Sequence, residues 1–265
     1  MPYFSRAGID IAFVDEGEGQ PVLLIHGFGS DVANCWRSTG WIELLRGAGC
    51  RVIAFDIRGH GKSAKPYDPL SYSANIIAQD AAALLDHLSI ESAHILGYSM
   101  GALIAAFLTV FYPRKVRSVV FGGLGTALKD GVGDTWDKII RNFHSSGRKN
   151  VNELEKRYDF RSTRDRNVEA LAACMYVLRE TLPPVQLESV EAPVLIAVGD
   201  KDEFAGSATG LAKLIPASDV LILPGLDHMG TISSALFQRG VVQFLRRLEN
   251  FAGRKRPSAI VPVAE

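Results

Sequence analysis

The chain has 265 residues, of which 47% are hydrophobic and 22% charged, with 29 Lys+Arg set against 29 Asp+Glu. This is ordinary globular composition, and it excludes a disordered chain, a collagen and a coiled coil. A formal net charge of zero supplies no excess of positive charge, so no nucleic-acid partner is expected.

Three cysteines, Cys35, Cys50 and Cys174, are too few and too scattered for a disulfide framework. None belongs to a C-x-x-C pair, so no structural zinc is expected and a reducing compartment is. The opening Met1 to Arg6 has no basic region followed by an apolar one, as a secretory leader requires. The longest apolar run, Met100 to Val110, falls short of the roughly 20 residues of a membrane span. The expectation is a cytoplasmic protein with no membrane partner, no cofactor and no metal.

Apolar runs alternate with amphipathic stretches, the pattern of an α/β fold with a mostly parallel central sheet flanked by helices. Ile9 to Asp15 predicts a strand, and a Gly-rich turn follows at Glu16 to Gly19. Val22 to Ile25 is a continuous apolar run, as in a strand covered on both faces. Trp41 to Arg46 predicts a helix, Arg51 to Asp56 a strand, and Ala74 to Leu88 an Ala- and Leu-rich helix. Ala93 to Gly97 is the next strand, and Met100 to Tyr112 a helix stopped by Pro113. Val116 to Phe121, Val194 to Val198 and Val220 to Leu223 complete the strands. Thr231 to Phe251 is the last helix, with Leu236, Val241, Phe244, Leu245 and Leu248 at helical spacing. Between Thr126 and Val190 there is no strong strand signal, charged residues are dense, and the stretch closes on Leu182-Pro183-Pro184. It reads as a helical insertion. The division expected is a core over 1–125 and 191–253, an insertion over 126–190 and a flexible tail over 254–265.

The sharpest motif is Ile95-Leu96-Gly97-Tyr98-Ser99-Met100-Gly101-Ala102, a strand running into G-x-S-x-G with a helix directly after. The spacing has a steric purpose. A serine on so tight a turn is pushed into the open on a strained backbone, and flanking glycines let neighbouring chain approach. The new helix aims its N-terminal N–H groups at a developing oxyanion. A bare G-x-S-x-G also fits a Gly-rich helix start capped by serine, but the strand before it and the Ala-rich helix after it favour a nucleophile. A second motif, His26-Gly27-Phe28-Gly29, follows a buried strand. Acyl transfer needs two donors for the tetrahedral oxygen. The backbone N–H groups of Met100 and Phe28 are the expected pair, with His26 as a hydrogen-bonded structural histidine.

Together with Asp56-Ile57-Arg58-Gly59-His60-Gly61-Lys62-Ser63, Gly199-Asp200-Lys201-Asp202 and Asp227-His228, these motifs resemble the α/β-hydrolase superfamily in type and order, up to about Phe251. The resemblance implies a Ser-acid-His triad and a helical cap, which the 126–190 insertion would supply. Of six histidines, only His228 follows the last strand, where the chain order Ser, acid, His puts the base. The superfamily pattern G-x-x-D gives Asp202 as the acid, with Asp200 and Glu203 as the competing carboxylates of the same loop. Asp227 adjoins the base but would have to bend back on itself.

Other readings of the same residues fail or weaken. Gly61-Lys62-Ser63 ends like a P-loop, but Asp56 occupies the position of the required first glycine. Gly122-Gly123-Leu124-Gly125 meets Leu128 where a dinucleotide fingerprint needs its third glycine. Epoxide hydrolases and haloalkane dehalogenases of the superfamily use a carboxylate nucleophile, which an elbow with Ser99 lacks. The expected activity is therefore hydrolysis of a small or medium carboxylic ester, with a small-molecule substrate as the partner. Trp136, Phe143, Tyr176 and Leu226 are the expected substrate-pocket residues. Carbon–carbon bond hydrolysis, lactone opening and cofactor-free haloperoxidase or perhydrolase chemistry are the alternatives, and a receptor on the same scaffold is the non-enzymatic one.

Overall fold

The computed structural model describes residues 1–131, 133 and 167–252. Eight strands form one sheet: β1 (Tyr3–Arg6), β2 (Ile9–Glu16), β3 (Gln20–Ile25), β4 (Cys50–Phe55), β5 (Ala93–Tyr98), β6 (Val116–Gly122), β7 (Val194–Gly199) and β8 (Ser218–Leu223). Their spatial order is β1-β2-β4-β3-β5-β6-β7-β8. From β4 to β8 every pairing is parallel, while β1 and β2 are antiparallel. The sequence expectation of a mostly parallel sheet thus holds. β1 carries no signal strong enough to be read: it is four residues long and only Phe4 faces the core.

Among the described residues, the helices α1 (Trp41–Gly47), α2 (Ala74–His87), α3 (Met100–Phe111) and α4 (Ala235–Ala252) cover the sheet. On one face α2 and α3 bury Ile77, Ala81, Leu84, Ala102 and Ile104 against Leu23, Ile25, Ile53 and Ile95. On the other, α1 and α4 bury Trp41, Ile42, Leu45, Phe237 and Val241 against Val22, Leu24, Val52 and Leu96. Successive side chains of a strand point to opposite faces, so continuous apolar strands are what a sheet covered twice requires. Trp41 ties the second layer together. Its ring meets Phe237 edge to face at 5.1 Å, and its Nε1 donates to the Ile232 carbonyl at 2.8 Å.

The last helix departs from expectation in two ways. The helix expected over Thr231 to Phe251 is split into a short turn, His228–Ile232, and α4. Asp227 starts the short turn by accepting the Gly230 N–H at 2.7 Å, an N-cap that fits an aspartate. Within α4 the inward position is Phe237, fully buried, whereas Leu236 is 43% exposed.

Within α2, Asp80 is fully buried and meets two arginines. Arg58 grips it with Nε on Oδ2 at 2.7 Å and Nη2 on Oδ1 at 2.8 Å, and Arg6 adds a contact at 2.9 Å. This anchors the 56–63 loop to α2.

Candidate active site

Parallel strands deliver their following loops to one sheet edge, the carboxyl edge, where open α/β sheets hold their ligands. Four of those loops converge here: 26–29 after β3, Ser99 after β5, 200–205 after β7 and 224–228 after β8.

Ser99 lies between the end of β5 and the start of α3 with φ 55° and ψ −119°. A residue with a Cβ rarely adopts such a conformation, which costs of order 1–3 kcal/mol and persists only where its surroundings impose it. The surroundings are visible. Ser99 N–H donates to Gly122 O at 2.8 Å, and Ser99 O accepts from Ala102 and Leu103 at 2.8 and 3.1 Å. A Cβ on Gly101 would stand 1.9 Å from Ile25 O, and one on Gly97 2.2 Å from Gly101 O. The two motif glycines are therefore fixed by backbone crossing at contact distance.

His228 reaches across the edge. Its Nε2 lies 2.9 Å from Ser99 Oγ and its Nδ1 2.7 Å from Asp202 Oδ2. A carboxylate can only accept, so Nδ1 carries the proton and Nε2 is left to accept from the serine hydroxyl. The Asp202 side chain is fully buried. Its other oxygen accepts the N–H groups of Phe204 and Ala205 at 2.9 and 3.0 Å. The ring of His228 is held by Tyr98 and Phe204, at centroid distances of 5.6 and 5.3 Å, and Tyr98 OH donates to the His228 carbonyl. Gly123, φ 62°, explains why that space is open: a Cβ there would lie 3.2 Å from His228 Cε1. This second glycine requirement at the end of β6 is visible in Gly122-Gly123 but carries no role readable from sequence.

The competing carboxylates are occupied otherwise. Asp200 accepts the Gly225 N–H at 2.7 Å and so braces the loop that carries the base. Asp227 caps the short turn, and Glu203 is exposed.

Met100 is the first residue of α3, so its N–H has no intrahelical acceptor. The 26–29 loop approaches from the other side: a Cβ on Gly27 would be 3.4 Å from Ser99 Cβ. Two buried histidines brace that loop. His26 Nε2 accepts the Ile57 N–H at 3.0 Å, and its Nδ1 donates to Gly27 O at 2.8 Å. His60 Nε2 accepts the Gly29 N–H at 3.0 Å. Burial lowers the pKa of His26, with Asp56 opposing, which keeps the ring neutral and able to accept. The role of His60 escapes sequence reading, because its partner is 31 residues away.

A cavity of about 20 Å³ adjoins Ser99 and His228, lined by Met100, Leu103, Leu124, Leu178, Glu180 and Phe204. That is the room of one water or a very small group. A larger cavity, about 610 Å³, lies beyond Gly29 and is bordered by Asp31, His60, Lys62 and Asn167. It touches neither Ser99 nor His228. Of the expected pocket residues, Tyr176 is 50% exposed and stacks under Arg179 at 6.0 Å. Leu226 packs against the α1/α4 layer, so neither lines the Ser99 cavity. Phe28 is buried with its ring against His60 at 5.7 Å. Trp136 and Phe143 lie outside the described residues. Among the described residues no group of three or more His, Cys, Asp or Glu could hold a metal ion, and no helix is long and apolar enough to cross a membrane.

Comparison with known proteins agrees with this fold. The family model for the alpha/beta hydrolase fold matches residues 20–177, more than half of the chain. The chain belongs to the α/β-hydrolase family. It is 26% identical over 275 residues to the non-heme chloroperoxidase CPO-A1 of Kitasatospora aureofaciens, covering 92% of this chain and 98% of that protein. A meta-cleavage product hydrolase, CumD, of Pseudomonas fluorescens IP01 superposes with a TM-score of 0.73 at 25% identity, covering 93% of this chain and 98% of that one. Higher identity, 36% over 113 residues, is found with epoxide hydrolase 3 of Siraitia grosvenorii, but over only 43% of this chain and 35% of that protein. The chain thus aligns with about a third or less of the length of the curated epoxide hydrolases it matches, among them bifunctional epoxide hydrolase 2 of Sus scrofa.

Proposed function

We propose that this hydrolase cleaves a small or medium carboxylic ester through an acyl-enzyme. His228 Nε2 takes the proton of Ser99, whose Oγ attacks the acyl carbonyl, and the N–H groups of Met100 and Phe28 hold the resulting oxyanion. The imidazolium, steadied by Asp202, gives its proton to the departing alkoxide. Water then attacks the acyl-enzyme by the reverse sequence and releases the acid. The observation that carries this reading is the unbroken chain from Ser99 Oγ through His228 to Asp202, at 2.9 and 2.7 Å, with the serine held at positive φ. A serine in this position argues against the carboxylate-nucleophile chemistry of the epoxide hydrolases that the chain partly matches.

The small cavity favours an acetyl-sized acyl group, and a longer one would displace the side chains of Leu103 and Leu178. Since Leu178 and Glu180 border the cavity, residues 126–190 are proposed to act as a cap over the core formed by 1–125 and 191–253. A fluorophosphonate should label Ser99 alone, and Ser99→Ala should abolish both labelling and turnover of p-nitrophenyl acetate with an unchanged circular dichroism spectrum. Labelling elsewhere, or none, would overturn the assignment.

A second reading rests on the two relatives matched over nearly their whole length, a chloroperoxidase and a meta-cleavage product hydrolase. Both peroxide-dependent halogenation and carbon–carbon bond hydrolysis could use the same three side chains. Product analysis with acetate plus peroxide and bromide, and with a vinylogous 1,5-diketone, separates them from simple ester hydrolysis.

A further inference from the structure

One wall of the Ser99 cavity is out of character. Met100, Leu103, Leu124, Ala127, Leu178 and Phe204 are apolar, yet Glu180 stands among them. Glu180 directly follows the helical turn Met175–Arg179 and is half-buried. One oxygen, Oε1, accepts the Ala74 N–H at 2.8 Å. That bond has a structural purpose, since it satisfies a donor at the start of α2. Oε2 has no such bond, and Glu180 makes no salt bridge among the described residues. Arg58, which like Glu180 acts on the buried Cys174, is committed to Asp80. Burial pushes the Glu180 carboxyl above its ordinary range, with the Ala74 bond opposing.

A half-buried carboxylate without a counter-charge is costly to keep, and a cation placed beside it recovers that cost. An apolar residue could have closed the cavity, and a backbone brace at Ala74 requires only a neutral acceptor such as glutamine. With no cation paired to it among the described residues, the charge beside the nucleophile is best explained by what enters the cavity. We propose that Glu180 is a specificity residue for esters carrying an ammonium group close to the scissile carbonyl. The inference rests on the esterase reading above and adds the substrate class. Its physical content is charge complementarity: carboxylate and ammonium attract more strongly at a partly desolvated wall than in water.

The test uses two isosteric acetates, 2-(dimethylamino)ethyl acetate, cationic at pH 7, and 3-methylbutyl acetate, which is neutral. Acid release gives kcat/KM for each at fixed ionic strength, because exposed charges are screened by salt. Both alcohol parts have the same shape, so any cost of moving Leu103 or Leu178 cancels in the ratio. The wild type should favour the cationic ester by about tenfold or more. Glu180→Gln, which keeps the acceptor for Ala74, should remove that preference, and Glu180→Asp should keep part of it. Equal ratios in wild type and Glu180→Gln, or a wild-type preference for the neutral ester, would overturn the proposal. Calorimetric titration with the parent alcohols, 2-(dimethylamino)ethanol and 3-methylbutanol, reads the same ratio without turnover. If neither ester is hydrolysed but the cationic alcohol binds more tightly to wild type than to Glu180→Gln, the ester reading fails and the cation site stands. If both esters turn over with no dependence on residue 180, the reverse holds.

Discussion

Replacing Asp202 by Asn probes the site most directly, because the surroundings dictate how the new amide must sit. Asp202 Oδ1 accepts two backbone N–H groups, at 2.9 and 3.0 Å, while Oδ2 faces His228 Nδ1 at 2.7 Å. If the amide nitrogen took the Oδ1 place, three donors would collide and two buried N–H groups would lose their acceptor, at about 1–3 kcal/mol each. The amide oxygen therefore stays on the backbone pair, and the nitrogen turns to His228. Nδ1 must then accept, which moves the ring proton to Nε2. A protonated Nε2 cannot take the hydrogen of Ser99. The expected loss in kcat is about 10³- to 10⁴-fold, or roughly 4–5.5 kcal/mol of barrier at 1.36 kcal/mol per tenfold. Burst and steady-state release of p-nitrophenol measure it, with the rate of fluorophosphonate labelling at Ser99 as a second readout. Thermal unfolding should move little, since every hydrogen bond of the loop survives. A variant that keeps its rate within tenfold of wild type would refute the reasoning and turn attention to Asp200, Glu203 or Asp227.

Two further outcomes concern stability. Ser99→Gly should raise stability by about 1 kcal/mol, since glycine tolerates the backbone that serine occupies under strain, and the melting temperature should rise about 2–4 °C. A melting temperature at or below the wild-type value would mean that the turn stores no strain. His94 is buried against Ser118, with its Nδ1 2.7 Å from Ser118 Oγ. Burial first, then nearby Arg117, lowers its pKa to about 4. The unfolded chain binds this proton near pH 6.5 and the folded chain only near pH 4, so the stabilisation is complete above pH 6.5 and is lost as pH falls between those values. The loss should reach about 3 kcal/mol. Urea unfolding at pH 7.5 and 4.5 should show a smaller pH-dependent loss for His94→Gln than for the wild type, and equal losses would dismiss His94 as the source.

Periodicity and local chemistry make most of the scaffold legible in the sequence. Val22 to Ile25 and Ala93 to Gly97 read as buried strands because a sheet covered on both faces admits no polar alternation, and Pro113 marks the end of the helix after Ser99. The elbow itself is legible for a related reason: its glycines answer a clash within a few residues, and short-range sterics leave a sequence mark. Other features depend on partners distant in the chain. His60 bonds Gly29, Asp200 braces Gly225, and Glu180 meets Ala74 and the Ser99 cavity, and none of these pairs has a spacing that a motif could record. Tyr176 and Leu226 illustrate the same limit, since an apolar residue in a loop does not announce which wall it faces. The chain alone thus determined most of the strands and helices, though not β1 or the break after Ile232, and which hydroxyl stands on the sharp turn, because those follow from neighbours in sequence. Only the folding of four loops onto one sheet edge decided which carboxylate meets the imidazole and which side chains surround the serine, because hydrogen bonds and close packing act over ångströms in space regardless of distance along the chain.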